Sequence, residues 1–266
     1  MSDHEAGRSS SDIAGDLRAL GLGADRVVLL NASLRMMGPV AGGAATVVHA
    51  VRDVLGPAGT LVTPATTAEN SDTSRAYLTS VAGLSPAQIR AHRDGMPPFD
   101  RATTPATGAG RIAEEIRTTP GAIRSAHPQS SFAAVGLRAR PLMRKHRIDC
   151  HLGEDSPLGK LYEAGAWVLL LGVGFSSCTA LHLAEYRYLP APPRRAYRCV
   201  VRHRGQRQWR TYRDVVLDDS DFEVIGEVLD KNVDMHRGYI GNAESRLMPM
   251  RPLVDFVTNW MREHRR

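Results

Sequence analysis

The stretch WVLLLGVGFSSCTALHLAEYR (167–187) decides the fold. Its apolar run from Trp167 stops at glycines, and a polar turn then opens a segment carrying His182 and Glu185. A short continuous apolar run bounded by glycines reads as a strand buried on both faces. In open α/β sheets, ligands bind beyond the carboxyl ends of such strands. A helix is expected from about Ser177, with Thr179 in its first turn, and His182 and Glu185 at i and i+3 then share one face. A carboxylate beside an imidazole fixes its tautomer and prepares it as a general base. The same spacing also describes an ordinary helix-surface pair. A metal reading needs further ligands, which Cys150 and His151 could add, but no second Glu/His pair accompanies them and the spacing is irregular for zinc.

Outward from this stretch, strands alternate with helices. RVVLLNASL (26–34) is a second buried strand, and GPVAGGAATVVHAVRDVLGPAGTLVTPA (38–65) reads as a glycine turn, a helix with Val47, Val48, Val51 and Leu55 inward, and a strand at 60–63. Residues 1–10 read as a disordered lead to a domain over 11–266, with Ser11 or Asp12 capping a first helix. Residues 65–108 read as a long polar loop with one helical candidate near 85–93, and such loops are usually functional. Further helices are expected after Gly110, near 139–147, from Pro157 with Ser156 as N-cap, around 220–231 and from 252. A strand at 130–136 and a hairpin at about 196–213 complete the pattern. The class is α/β with an antiparallel insertion.

Composition narrows the function classes. Of 266 residues 42% are hydrophobic and 23% charged, ordinary for a globular protein, with a formal net charge of +6. Lys145, Lys160 and Lys231 are the only lysines among 34 basic residues, and arginine forks suit phosphates, so a nucleotide-bearing co-substrate fits. Nucleic acid as a partner fits less well, because the arginines are scattered outside 194–213, which a solvated ribbon explains. The three cysteines are widely spaced without a CxxC, the N-terminus carries no signal-peptide core, and no apolar run is long enough for a membrane, so the cytoplasm is the expected compartment.

Two more segments carry candidate chemistry. NASLRMMGPVAGGA (31–44) passes from a strand into a helix through glycines, which let a ligand approach backbone N–H groups, yet it is neither GxGxxG nor a P-loop. RSAHPQSSFAAVG (124–136) places His127 and the hydroxyls of Ser130 and Ser131 just before a strand, where they serve either a site or the loop itself.

Taken in order, SLRMMGPVAGGAATVVHAVRDVLGPAGTLVTPA, RSAHPQSSFAAVG, SPLGKL and VLLLGVGFSSCTALHLAEYR resemble the aminoglycoside 3-N-acetyltransferase family over about residues 10–262. The resemblance implies a three-layer α/β/α sandwich with a mostly parallel central sheet and an antiparallel hairpin insertion. It also implies acetyl-CoA as co-substrate, no metal, an amine-bearing small molecule as acceptor, and a monomer or homodimer. By resemblance, Ser33, Leu34 and Arg35 contact the pantetheine arm, backed by Gly42 and Gly43. His182 is the base, Glu185 orients it, and Ser131 donates to the thioester oxygen. Glu69, Asp72 and His127 are the expected acceptor contacts, with the 65–108 segment as acceptor wall. Many family members carry histidine where this chain has Asn31 and Ser130, and the net charge of +6 suits a polycation poorly, so an acceptor outside the aminoglycosides is the alternative.

Overall fold

The computed structural model describes residues 7–265. In chain order its helices are α1 (Ser10–Ala19), α2 (Ala44–Leu55), α3 (Arg75–Ser80), α4 (Pro86–Gly95), α5 (Gly110–Thr118), α6 (Ala139–Met143), α7 (Pro157–Glu163), α8 (His182–Glu185), α9 (Phe222–Asn232) and α10 (Met250–His264). Its strands are β1 (Val27–Ala32), β2 (Thr60–Pro64), β3 (Ile123–Arg124), β4 (Phe132–Gly136), β5 (Trp167–Leu171), β6 (Arg194–His203), β7 (Gln206–Val215), β8 (His236–Ile240) and β9 (Ala243–Pro249).

Apolar runs become the central strands because both faces of each are covered. Val28 and Leu30 of β1 enter one core with α1, α2 and α5, while Val27 and Leu29 enter the other with α7, α9 and α10. Along β5, Val168 and Leu170 face the second core and Leu169 and Leu171 the first, the period of two expected of a strand. Truncating any of these leucines to alanine costs about 2–5 kcal/mol. The seven-stranded sheet has the order β3-β4-β2-β1-β5-β9-β8. Pairing is parallel at its centre, β2-β1-β5, and antiparallel at β3-β4, β4-β2, β5-β9 and β9-β8, so that only β4 and β9 run against the rest. The register sets Ala32 opposite Leu171, and the Ser33 N–H donates to the Leu171 carbonyl at 2.9 Å. The carboxyl ends of β1, β2 and β5 therefore open together.

Several expected boundaries shift. Ser9, not Ser11 or Asp12, caps α1 in a capping box with Asp12, and Arg8 bridges to Val40. The expected disordered lead is thus ordered at its end, and residues 1–6 lie outside the described residues. The 65–108 loop contains α3 as well as α4 and is pinned to the β6-β7 ribbon through Ser71–Cys199 and Phe99–Val201 bridges. Tyr77, Met96 and Val200 close a small apolar core beneath it. The edge strand β8 and its neighbour β9 are not anticipated by the sequence pattern. Among the described residues no helix is long and apolar enough to cross a membrane.

Candidate active site

The chain leaves β5 through Gly172, whose φ of 64° is left-handed and whose Cβ would sit 2.7 Å from that of Met36. It then forms two 3-10 turns, Phe175–Ser177 and Thr179–Leu181, and a single α turn, α8. The single helix expected from Ser177 is interrupted because Cys178 is extended (φ −77°, ψ 93°). The interruption puts His182 at the first position of α8, over the mouth of the sheet. Gly226 of α9 lets that helix close on the first turn, since a Cβ there would meet the Phe175 ring at 2.5 Å.

His182 Nδ1–H donates to Glu185 Oε2 at 2.7 Å. The imidazole is 17% exposed and the carboxylate 1%, so Glu185 works from inside while His182 keeps Nε2 for the cleft. The other carboxylate oxygen, Oε1, accepts from the Asp218 N–H and from Arg265 Nη1, both at 2.8 Å. The Phe222 ring, 4.8 Å away, backs the imidazole. A buried carboxylate with this many charge-assisted donors is held in place.

The cleft holds about 640 Å³. One wall is Asn31 with Ser33, Leu34 and Arg35, another is Gly108 to Arg111 at the start of α5, and Ser176 to Thr179 with His182 form the third. Arg35 and Arg111 are exposed, and neither pairs with a carboxylate among the described residues. Asn31 Nδ2–H donates to Thr179 Oγ1 at 2.8 Å, which leaves the Thr179 hydroxyl proton uncommitted. Asn31 Oδ1 is buried without a partner among the described residues. Cys178 also borders the cleft, but burial pushes its thiol up to about 12, so an acetyl-cysteine has no thiolate to form on at neutral pH. Cys150 is likewise pushed up to about 11 by burial.

The structure thus unites His182, Glu185, Ser33, Leu34 and Arg35, and it separates the other expected residues. Ser131 is fully buried: its hydroxyl donates to the Ala65 carbonyl at 2.7 Å and accepts from Arg124 Nε, so no proton is left for a thioester oxygen. His127 is fully buried as well. Its Nδ1 accepts the N–H groups of Gln129 and Ser130 at 3.1 Å, and its Nε2–H donates to the Ile148 carbonyl at 3.0 Å. It is the satisfied loop histidine rather than an acceptor contact. Asp72 is 7% exposed between Arg93 of the same segment and Arg198 of β6, the latter docking the loop to the ribbon, so its charge is already spent. Glu69 is exposed but faces a separate groove beside Tyr77 and Met96 and accepts from Thr107. Gly42 and Gly43 turn the chain into α2 with φ of 76° and 63°, outside the cleft lining. Cys150 and His151 do not join His182, since His151 Nδ1–H donates to Asp214 at 2.7 Å.

Sequence reasoning missed the α5 wall and Arg265. The glycines in ATGAGR were legible as a helix start, and close backbone approach was the available signal.

An open α/β sheet with a His–Glu pair beyond its carboxyl ends places an acid–base pair where such folds bind ligands. The chain belongs to the aminoglycoside 3-N-acetyltransferase family, whose model matches residues 29–262. It is 36% identical over 263 residues to the SPbeta prophage-derived aminoglycoside N(3')-acetyltransferase-like protein YokD of Bacillus subtilis, covering 95% of this chain and 92% of that one. The YokD crystal structure superposes with a TM-score of 0.90 over 97% of this chain and 94% of that one. Aminoglycoside N(3)-acetyltransferase VIII of Streptomyces fradiae is 42% identical over 82% of this chain and 74% of its own length. The structure of AAC-IIIb in binary complex with CoASH matches at 30% identity and a TM-score of 0.83, over 96% and 97% of the two chains.

Proposed function

We propose that this protein transfers an acetyl group from acetyl-CoA to the 3-amino group of an aminoglycoside, with His182 as general base. The observation that carries the reading is the His182–Glu185 pair, with one imidazole nitrogen tied to a buried carboxylate and the ring lining the cleft. The co-substrate supplies an activated acetyl thioester. Its fit rests on the narrow wall at Gly108 to Arg111 and on two exposed guanidiniums, Arg35 and Arg111, suited to a nucleotide's phosphates.

An ammonium is not a nucleophile, so a base must hold the amine neutral and take its proton as the N–C bond forms. His182 Nε2 is placed to do so, and Glu185 stabilises the charge the ring acquires. Thr179 takes the role first given to Ser131, because its hydroxyl lies in the cleft and retains a proton to donate to the oxygen on which charge gathers. Proton transfer back from His182 to the departing sulfur completes the exchange without a covalent enzyme intermediate.

A second acceptor is favoured by one observation. Asp72 is neutralised by two arginines, and Asp219, the carboxylate bordering the cleft, pairs with Arg75 at 2.8 Å. That leaves less negative charge than a polycation prefers, and an amine of lower charge from natural-product biosynthesis is the alternative substrate. Thiol release from acetyl-CoA, measured against aminoglycosides and singly charged amines, tests both. Turnover with aminoglycosides supports the first, turnover confined to the other amines supports the second, and no turnover with any amine contradicts both.

A further inference from the structure

Glu185 is reached from far along the chain. α8 packs against α10, and just beyond α10 the Arg265 N–H still donates to the Met261 carbonyl at 2.9 Å, so its backbone is fixed to that helix. The Arg265 side chain is 16% exposed and runs inward. Its Nη1 donates to Glu185 Oε1 at 2.8 Å, its Nε to Asp221 Oδ2 at 2.7 Å, and its Nη2 to the Asp218 carbonyl at 2.7 Å. The guanidinium also lies 5.9 Å from the centre of the Phe222 ring that backs His182. All faces of the fork are therefore occupied, and its one contact with the catalytic pair is the carboxylate oxygen that His182 does not use.

We propose that Arg265 is a positioning residue for catalysis, completing a His182–Glu185–Arg265 relay that holds the carboxylate oriented toward the imidazole and offsets its charge. The inference rests on the reading of His182 as base. Without the Arg265 fork the buried carboxylate would be free to swing toward water, and then it could neither accept the Nδ1–H nor hold the tautomer. A carboxylate left fully uncompensated would stabilise the imidazolium too strongly and delay the base to higher pH. Arg265 acts against both. Among the described residues, the other charged or titratable groups around the pair are Asp218, Asp219 with its partner Arg75, and Asp221, from the segment leading into α9, and His151 from the loop before α7. The acidic members of this set remain when Arg265 is removed, so the net change at His182 is toward negative potential.

The test uses the full chain with Arg265→Ala, Asp221→Asn and His182→Ala beside wild type. For Arg265→Ala, kcat is expected to fall by about tenfold or more while KM for acetyl-CoA stays within about twofold, since a base contributes to the chemical step rather than to binding. The acid limb of kcat/KM should move to higher pH, and the NMR titration of the His182 ring protons in the ligand-free protein should move with it. Millimolar guanidinium ion should restore part of the rate. Asp221→Asn removes a negative charge and should move both readouts to lower pH, which keeps the test available if Arg265→Ala does not fold. An unchanged acid limb and unchanged ring titration in both variants, with His182→Ala inactive, would overturn the relay while leaving His182 as base. Activity retained in His182→Ala would instead overturn the reading on which the relay rests.

Discussion

His182 and the buried trio His127, His146 and His151 place the same side chain in opposite settings. His182 commits one nitrogen, to a carboxylate, and leaves the other at a cleft. In the trio every nitrogen is engaged. His127 is saturated by backbone. His146 accepts from the Ser125 hydroxyl and donates to the Cys150 and His151 carbonyls, and His151 spans Asp214 and the Tyr212 hydroxyl. Their rings pack 4.8 Å (His127–His146) and 4.5 Å (His127–His151) apart. Burial, helped by the neighbouring imidazoles, holds His127 far below the usual histidine range and brings His146 down to about 3. Burial also lowers His151, although Asp214 pulls the other way. Burial raises the Asp214 carboxyl too, but hydrogen bonds from His151 and Tyr186 outweigh this and keep it below the usual carboxylate range. A histidine becomes a reagent through an uncommitted nitrogen with access to substrate, and a carboxylate neighbour alone does not confer that.

The contrast can be broken most forcefully with acid. The unfolded chain takes up protons on these histidines near pH 6.5, whereas the folded chain refuses them at His127 and His146 until much lower, for His146 until about 3. Their contribution is therefore complete above about pH 6.5 and is lost as pH falls from there. His127 and His146 are each expected to cost about 1.4 kcal/mol of stability per pH unit within that window. Urea unfolding at stepped pH measures it, and a curve that stays flat from pH 6.5 to 4.5 would show that His127 and His146 are not buried neutral. Next in size is His127→Leu, which strands the Gln129 and Ser130 N–H groups and the Ile148 carbonyl. At about 1–3 kcal/mol per orphaned group, a loss of at least about 3 kcal/mol is expected in chemical denaturation, with kcat of the folded fraction near wild type. A specific loss of kcat without loss of stability would return His127 to the site.

Glu185→Gln sharpens the other side. Losing the group that orients an imidazole costs about 10- to 100-fold where this has been tested at metal-bound histidines, and a similar fall in kcat/KM is expected here with acetyl-CoA affinity preserved in calorimetry. The smallest effect belongs to Asp72→Asn. It loosens the 65–108 segment from the β6-β7 ribbon and is expected to lower stability by about 1–3 kcal/mol, while kcat/KM changes by less than about threefold. A large rise in acceptor KM alone would show that the carboxylate does meet substrate.

The core of the fold was legible because its signals are local. Val27 to Leu30 and Val168 to Leu171 are apolar without interruption, and the alternation of such runs with an amphipathic α2 defines the βαβ centre. The β8-β9 hairpin was not legible because β8 is mostly exposed and β9 carries Glu244, Ser245 and Arg246 in succession instead of an apolar run. Its Gly241-Asn242 turn, with Gly241 at φ 58°, was the available clue. His182 and Glu185 were found through a spacing of three. Arg265 stands 80 residues from Glu185 and Arg198 stands 126 from Asp72, distances at which no local pattern says which charge is free and which is spent. Ser131 and His127 look alike in sequence whether they face a ligand or the loop that holds them, because the deciding partners, Ala65 and Ile148, are distant or backbone groups.

The most direct test of the account is the turnover of His182→Ala, followed by thiol release with acetyl-CoA and an accepted amine, beside calorimetric binding of CoA. Loss of turnover by about 100- to 10,000-fold, with CoA affinity and thermal midpoint near wild type, is the expected result. Turnover within a few-fold of wild type would contradict the assignment of His182 as the base.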